Sequence, residues 1–438
     1  MSKAKDEKKV KADQARREAF AKMNAFISKT AKELDVTTST EELTANRQGR
    51  NEAVATASMC ADLIMGGGFP KNRMTVISGW EGTGKTTLMQ SGMANQLLNG
   101  GMAHYGDFEG ASDGGWISRG TGINLSHYEG NKKKEIPQTF YPLFDFQNGE
   151  DYFRYINRIM EESTNSGFSE LPGLAHLFLL DSIAALSTEA EIEDDEAGDK
   201  PAVAILLSNW LRKTRGRFRR ANAALVATNQ IRQKIRLKYP NENPEYEPGG
   251  NAARFMADVR LWLYPYKAQH VDENPHTLCT ELKDVLEPKA DGLWIEHNPD
   301  GTNDRYVYRR LHTKKNRVYP ALKTTYMRIC TSKNGGEGTG IDKVFDTLHF
   351  FEELGRLEWV GGRGNKLTIK LDGKEFNYFD LKKEIETKPD LRDEALSLLD
   401  SGQAWNLYQD RLGGNIGKVS PELEAEEAAG KTEADVEE

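Results

Sequence analysis

The sequence predicts an α/β fold: a core on a parallel-rich central sheet, an N-terminal helix ahead of it and a small α+β C-terminal domain behind it. Three observations carry this. Apolar strand-like runs alternate with helical patterns from Cys60 to about Leu263, the rhythm of a parallel sheet crossed over by helices. Within that stretch a glycine-rich octet stands between a β-branched run and a helical pattern. The chain has 438 residues, 38% hydrophobic and 29% charged, which is enough apolar content for a large core. That length exceeds one simple core and implies two or three units.

The elements follow in order. From about Ala12 to Leu34, the residues Phe20, Met23, Ile27, Ala31 and Leu34 recur at helical spacing between charged residues. Such a stripe packs on its own domain or docks on a neighbouring subunit, and the pattern alone favours neither. Residues 1–50 therefore read as an amphipathic helix and a polar linker, Lys-rich and without the apolar core of a secretion signal. The core, residues 51–335, carries strands at Thr75–Ser78, Met102–Gly106, Leu177–Leu180, Leu225–Thr228 and Val259–Leu263. Residues 265–305 break the rhythm with polar, proline-containing sequence and read as an insertion or extended hairpin. Residues 336–415 form the small C-terminal unit, with a glycine turn at Gly361 to Gly364 and a strand from Lys366 to Lys370. Residues 416–438 are an acidic tail. Pro421 to Glu438 holds eight acids against one Lys and no aromatic residue, so it is expected to be disordered.

Charge and cysteine content narrow the class. The net charge of −8 is unevenly spread, since residues 1–50 carry twelve Lys/Arg against eight Asp/Glu. Basic surfaces are thus hidden in the average. No apolar run approaches the ~18 residues of a membrane span, so no membrane partner is expected. Cys60, Cys279 and Cys330 are few, odd in number and far apart, which fits a reducing compartment without disulfides.

The octet Gly79-Trp80-Glu81-Gly82-Thr83-Gly84-Lys85-Thr86 fits the phosphate-loop pattern G-x-x-x-x-G-K-[ST]. Its glycines let backbone N–H groups curl around phosphate oxygens, Lys85 reaches the β/γ-phosphates, and the Thr86 hydroxyl ligates Mg²⁺. Thr87 continues into the helix, so the phosphates of ATP sit at a helix N-terminus. Leu177 to Leu180 is a buried strand ending in Asp181, a carboxylate placed to complete the Mg²⁺ shell. At the same sheet edge, Glu109 can orient or deprotonate water. Taken alone, a solvated loop acid is the simpler reading of Glu109. The strand ending in Asn229-Gln230 offers an amide, Gln230, for the γ-phosphate or attacking water. Arg232, Lys234, Arg236 and Lys238 follow, with no acid from Ile231 to Lys238, in a loop closed by Gly249, Gly250 and Asn251. Arg212, Lys213, Arg215, Arg217, Arg219 and Arg220 make a second basic cluster. One such cluster is ordinarily a solvated helix face, but two flanking one strand point to nucleic acid. His270, His276, Cys279 and His297 fit no common zinc spacing and read as an incidental polar loop.

Together these residues resemble the bacterial RecA recombinases over about residues 12–415. Asp181-Ser182-Ile183-Ala184-Ala185-Leu186-Ser187, running to Glu191-Ile192-Glu193, is similar to that family's second acidic motif and first DNA loop. Asn229-Gln230-Ile231-Arg232 matches the start of its second DNA loop. Gly249-Gly250-Asn251-Ala252 through Phe255 to Val259-Arg260-Leu261 matches the end. Cys60 to Gly79 resembles the lead into the family's phosphate loop, and Lys315-Asn316-Arg317 its Lys-Asn-Lys.

The resemblance implies a RecA-like P-loop ATPase core and roles residue by residue. Glu109 takes the place of the catalytic glutamate. Asp113 and Trp116 fall where the family contacts adenine, Trp116 replacing a stacking tyrosine. Gln230 links γ-phosphate to the DNA loop, and Phe255 passes the change across the subunit interface. Lys315 and Arg317 stand for two cations that reach ATP on the neighbouring protomer, and the tail resembles an autoinhibitory C-terminus. The implied activity is ATP-dependent strand exchange in a helical filament on single-stranded DNA, with homologous duplex as second substrate. A single-strand-binding or mediator protein is the implied loading partner, in a bacterial cytoplasm. Two departures stand out. Lys200-Pro201-Ala202 replaces a Met-containing stretch of the first loop, with a shortened following helix, and residues 265–305 have no counterpart. Such divergence suits a phage-encoded relative. A ring-forming helicase or translocase is the rival, sharing the phosphate loop and Asp181; a filament in which ATP is only structural is a third reading.

Overall fold

The computed structural model describes residues 53–112, 117–118, 140–143, 146–170, 175–193, 202–233, 245–266, 285–289, 292–319, 323–334, 336–362 and 366–411. The expected N-terminal helix, residues 194–201 of the first loop and the acidic tail lie outside them. The chain divides into two compact units, Met1–Gln48 and Gly49–Glu438, and the described residues all belong to the second.

That unit opens with β1 (Ala53–Val54), α1 (Met59–Met65) and β2 (Phe69–Pro70), the two strands pairing antiparallel. The Ser58 side chain caps α1 by accepting from the Ala61 N–H. Alternating strands and helices follow: β3 (Met74–Gly79), α2 (Lys85–Leu98), β4 (Met102–Asp107), β5 (Phe140–Leu143), α3 (Gly149–Asn165) and β6 (His176–Asp181). A short α4 (Glu189–Glu193) and long α5 (Ala202–Arg220) lead to β7 (Ala223–Gln230). A two-stranded ribbon, β8 (Arg232–Gln233) with β9 (Glu245–Tyr246), precedes α6 (Gly250–Met256) and β10 (Val259–Tyr266).

Strands β10-β3-β7-β6-β4-β5 are parallel neighbours in that order. Strands β3, β6 and β7 are buried on both faces, which is why they read as continuous apolar runs. One face packs Ile77, Tyr105, Leu179 and Val226 against Leu88 and Met93 of α2. The other packs Val76, Phe178, Leu180 and Leu225 against Tyr152, Ile156, Trp210 and Leu211 of α3 and α5. The strands run one to three residues past the expected ends, to Gly79, Asp107, Asp181, Gln230 and Tyr266. Polar, glycine and proline residues there interrupt the apolar pattern while the backbone pairing continues.

Beyond β10 the sheet turns antiparallel through β11 (Leu286–Pro288), β12 (Leu293–His297), β13 (Asn303–Asn316), β14 (Thr324–Lys333) and β15 (Gly336–Ile341). The described part of 265–305 therefore extends the central sheet as paired strands, and its polar residues are not all solvated. Glu296 and Asp304 are buried, because strand alternation turns them toward the C-terminal helices. Next come α7 (Lys343–Glu353) and a three-stranded sheet of β16 (Leu357–Gly361), β17 (Thr368–Leu371) and β18 (Lys374–Asn377). Strand β17 begins two residues later than the sequence suggests. The chain ends with α8 (Tyr378–Thr387), α9 (Asp390–Asp400) and α10 (Gln403–Arg411). One apolar cluster joins Met59 and Leu63 of α1, Trp294 and Tyr308 of the antiparallel strands, and Phe345, Tyr378, Leu381 and Leu399 of the C-terminal helices.

Candidate nucleotide site

The octet bridges β3 and α2 at the carboxyl edge of the parallel sheet. Gly84 is the N-cap of α2 at φ +85, and a Cβ there would sit 2.4 Å from Ile329 Cδ1. Only glycine satisfies both constraints. With no side-chain cap, the first N–H groups of α2 are left for an anion. Thr83 and Lys85 both donate to the Trp80 carbonyl, at 2.7 and 3.0 Å. Burial pulls the Lys85 ammonium below its ordinary pKa, opposed by the charges of Glu109, Asp181 and Glu81. Sequence reasoning missed Arg309. This buried residue of β13 donates to the Gly82 carbonyl at 2.9 Å, a contact created by sheet register alone.

Asp181 ends β6 beside the loop. Its Oδ2 accepts from Thr86 Oγ1 at 2.8 Å and from the Tyr105 hydroxyl at 3.1 Å, and its Oδ1 accepts from Thr228. Burial pushes this carboxyl up, and the bonds from Thr228 and Thr86 pull it back. One hydroxyl and one carboxylate are hard oxygen donors that suit Mg²⁺. Among the described residues no group of three or more His, Cys, Asp or Glu forms a metal cage, so phosphate and water would complete that shell. His297 pairs with Asn303 and Glu287, while His270, His276 and Cys279 lie outside the described residues.

Glu109 is more constrained than a solvated loop acid. Its Oε1 accepts from Ser182 Oγ at 2.5 Å, and its N–H donates to Asp107 Oδ1 and the Asp181 carbonyl. Asp107 also accepts from the N–H groups of Gly110 and Ser112, so it shapes the turn that presents Glu109 to solvent.

Gln230 pairs with Gly79 in the β3–β7 register, and the Ile231 N–H donates to the Gly79 carbonyl at 3.1 Å. The loop after Gln230 thus starts at the phosphate loop. Arg232 is exposed on the ribbon; Lys234, Arg236, Lys238, Asp113 and Trp116 lie outside the described residues. The loop returns to the same edge, where Asn229 Nδ2 donates to the Pro248 carbonyl at 2.9 Å. Gly249, at φ +84, would bring a Cβ within 2.6 Å of Ile183, which puts this loop beside the base of the first one.

Other expected residues stand apart from this edge. The cluster on α5 flanks β7 in sequence, but its last residues lie a strand's length from Gln230, while the start of the helix at Ala204 meets Gly250. Arg219 and Arg220 sit at the amino edge, and α5 itself spans about 28 Å at 1.5 Å per residue. Arg212 donates to Asn209 on its own helix, and Arg215 pairs with Asp258 at 2.8 Å. Lys315 and Arg317 are also at the amino edge. Lys315 donates to the carbonyls of Arg254 and Phe255 at 3.0 and 2.8 Å, and Arg317 lies 3.6 Å from Asp258. Register puts Arg317 about 17 Å from Gly79 along the strands at ~3.3 Å per residue. Phe255 projects beside them, 66% exposed.

The family model for the RecA N-terminal domain matches residues 21–129 and 160–287, more than half of the chain. Among curated relatives, Protein RecA of Xanthomonas axonopodis pv. citri (strain 306) is 34% identical over 212 residues, 48% of this chain and 55% of that protein. Protein RecA of Xylella fastidiosa (strain M12) is 34% identical, covering 48% and 54%. Protein RecA of Xanthomonas campestris pv. campestris (strain B100) is 33% identical, covering 48% and 55%. The chain spans about half the length of the curated relatives it matches.

Proposed function

The chain belongs to the RecA family, and from that premise we propose that it is an ATP-dependent DNA recombinase. It forms helical filaments on single-stranded DNA, pairs them with homologous duplex and hydrolyses ATP in response to DNA. The observation that carries this reading is a split site. Lys85, Thr86, Asp181, Glu109, Gln230 and the bases of both loops gather at the carboxyl edge, whereas Lys315, Arg317 and Phe255 gather at the amino edge. Neither cation reaches its own phosphate loop, so head-to-tail stacking of protomers is the arrangement that brings the halves together.

In this reading Lys85 and the start of α2 hold the β/γ-phosphates, and Thr86 and Asp181 hold Mg²⁺. The metal, when bound, screens the phosphate charge. Glu109, steadied by Ser182, orients the attacking water. Lys315 and Arg317 of one protomer stabilise charge developing on the nucleotide of the next. Asp113 and Trp116 contact adenine. Arg232, Lys234, Arg236, Lys238 and the Gly249-Gly250-Asn251 turn grip DNA, and Arg212 contributes from α5. The acidic tail competes with DNA for these cations, and a single-strand-binding or mediator protein assists loading. The setting is a bacterial cytoplasm, with a phage-encoded origin in keeping with the altered first loop; no helix among the described residues is long and apolar enough to cross a membrane.

Negative-stain microscopy with single-stranded DNA and a non-hydrolysable ATP analogue, alongside an ATPase assay with and without DNA, tests this. Open helical filaments and DNA-stimulated hydrolysis are expected. Closed rings would favour a helicase or translocase, and filaments without hydrolysis a structural role for ATP.

A further inference from the structure

Glu247 belongs to none of the roles above. Its side chain nevertheless ties the second loop to two strands, and it is 4% exposed. Its Oε1 accepts from the Ser78 hydroxyl and from Trp262 Nε1, the latter at 2.9 Å, and its Oε2 pairs with the Arg260 guanidinium. These partners lie on β3 and β10, side by side in register, with Ser78 opposite Trp262. Ser78 is also the residue immediately before Gly79, where the phosphate loop begins.

We propose that Glu247 is a positioning residue that latches the returning end of the second loop to the phosphate-loop strand, so that nucleotide occupancy is transmitted to the ribbon and to α6. The proposal deepens the recombinase reading and rests on it for the identity of the polyanion. The loop has two tethers to β3 at this edge, beside the bond from Asn229 of β7 to the Pro248 carbonyl. One is the Ile231 N–H on the Gly79 carbonyl, and the other is Glu247 on Ser78. With the first tether alone the returning strand would be held by β7 and not by β3; with both, a displacement of Ser78 and Gly79 must move both strands of the ribbon. Glu247 is three residues from Gly250, where α6 starts, and α6 ends at Met256 beside Phe255, whose carbonyl Lys315 holds at the opposite edge. The latch therefore sits at the head of a route that runs through α6 from the phosphate-loop strand to the amino-edge cations. A carboxylate suits this task, because leaving Arg260 would strand two buried charges, so the latch moves with its partners rather than breaking. Coupling by such an element is a difference in free energy between two arrangements, and it is measurable as a ratio.

The test compares full-length parent, Glu247→Gln and Ser78→Ala, the last removing only the link to β3. Hydrogen exchange at 231–233 and 245–250 is followed with and without a non-hydrolysable ATP analogue. Affinity for single-stranded DNA is measured with the analogue and with ADP, and analogue affinity comes from a fluorescent derivative. In the parent, the analogue should slow ribbon exchange and tighten DNA binding, each about fivefold or more. Both ratios should shrink toward one in the two variants, with analogue affinity within about twofold of the parent, an outcome mere loss of stability would not give. The latch is overturned if both variants keep the parent ratios, or if parent ribbon exchange ignores the nucleotide. A parent ribbon that responds to nucleotide while DNA affinity does not would leave the latch standing and remove the recombinase reading instead.

Discussion

Lys85 lies close enough to Glu109 to feel its charge, and the different surroundings of the two side chains predict different duties. Lys85 is buried against the Trp80 carbonyl, a bond it must exchange for phosphate oxygens, so its loss should appear in binding. Glu109 is exposed and fastened to Ser182, so its loss should appear in turnover. Accordingly Lys85→Ala should abolish detectable nucleotide binding in a fluorescent-nucleotide titration. Glu109→Gln keeps an oxygen for Ser182 and should bind normally, while hydrolysis with DNA present drops about 10²–10⁴-fold. Parent-rate hydrolysis by Glu109→Gln would assign the water to another group. The octet was legible in sequence because glycine sterics and a helix start act over eight neighbouring residues. Arg309 and Glu247 were not. Their partners at Gly82 and Ser78 lie 227 and 169 residues away, and only the folded sheet brings them together.

At the scale of elements, adjacent strands carry an unexpected polar pair. His104 on β4 and His176 on β6 lie 3.1 Å apart, with His104 also bonded to the Tyr155 hydroxyl and stacked on Phe178. Burial pulls His104 down to about 3, helped by the neighbouring His176, and burial pulls His176 down to about 4. Both rings are neutral in the folded protein at neutral pH. An unfolded histidine titrates near ~6.5, so below that pH the unfolded chain binds more protons and stability falls as pH drops toward about 4. His349 acts with the opposite sign. Although burial opposes it, Glu352, Glu353 and Asp346 raise its pKa, so its contribution is complete below ~6.5 and fades as pH climbs through its folded value. Urea midpoints should therefore peak near neutrality. A doubly substituted His104→Phe, His176→Phe protein should lose the decline between pH 6.5 and 5, whereas an unchanged acid limb would assign that decline to carboxylates. Sequence pattern placed both strands correctly because their apolar neighbours dominate. It could not show that two histidines would meet, nor that a strand's length would part Arg219 and Arg220 from Gln230.

Across the whole molecule, the polar stretch that interrupts the α/β rhythm becomes the joint between the central sheet and the C-terminal helices. Glu296 of β12 and Asp304 of β13 are buried with Arg328 of β14, Lys382 of α8 and Asp342 at the head of α7. Lys382 Nζ lies 3.0 Å from Glu296 and 3.1 Å from Asp304, and the Tyr378 hydroxyl also donates to Glu296. The sequence reads residues 265–305 as a polar insertion or extended hairpin and gives no sign that two of its acids are buried, because charge ordinarily means exposure. Their burial depends on partners supplied from about eighty residues downstream, a pairing no local pattern encodes. A network of this kind adds less as a whole than it costs to break in part, since removing one partner leaves the others charged and dry. Lys382→Met should therefore cost about 3–5 kcal/mol, as Asp304 would lose its ion pair and Glu296 would keep only Arg328, which Asp342 already engages. Combining it with Glu296→Gln should recover part of that loss, because the second change removes one stranded charge. Urea unfolding followed by tryptophan fluorescence, with hydrogen exchange in β12 and α8, checks both statements. The single variant should loosen β12 and α8 together while leaving nucleotide affinity at the parent level. Loosening confined to α8 would mean that the insertion and the C-terminal helices hold their places independently.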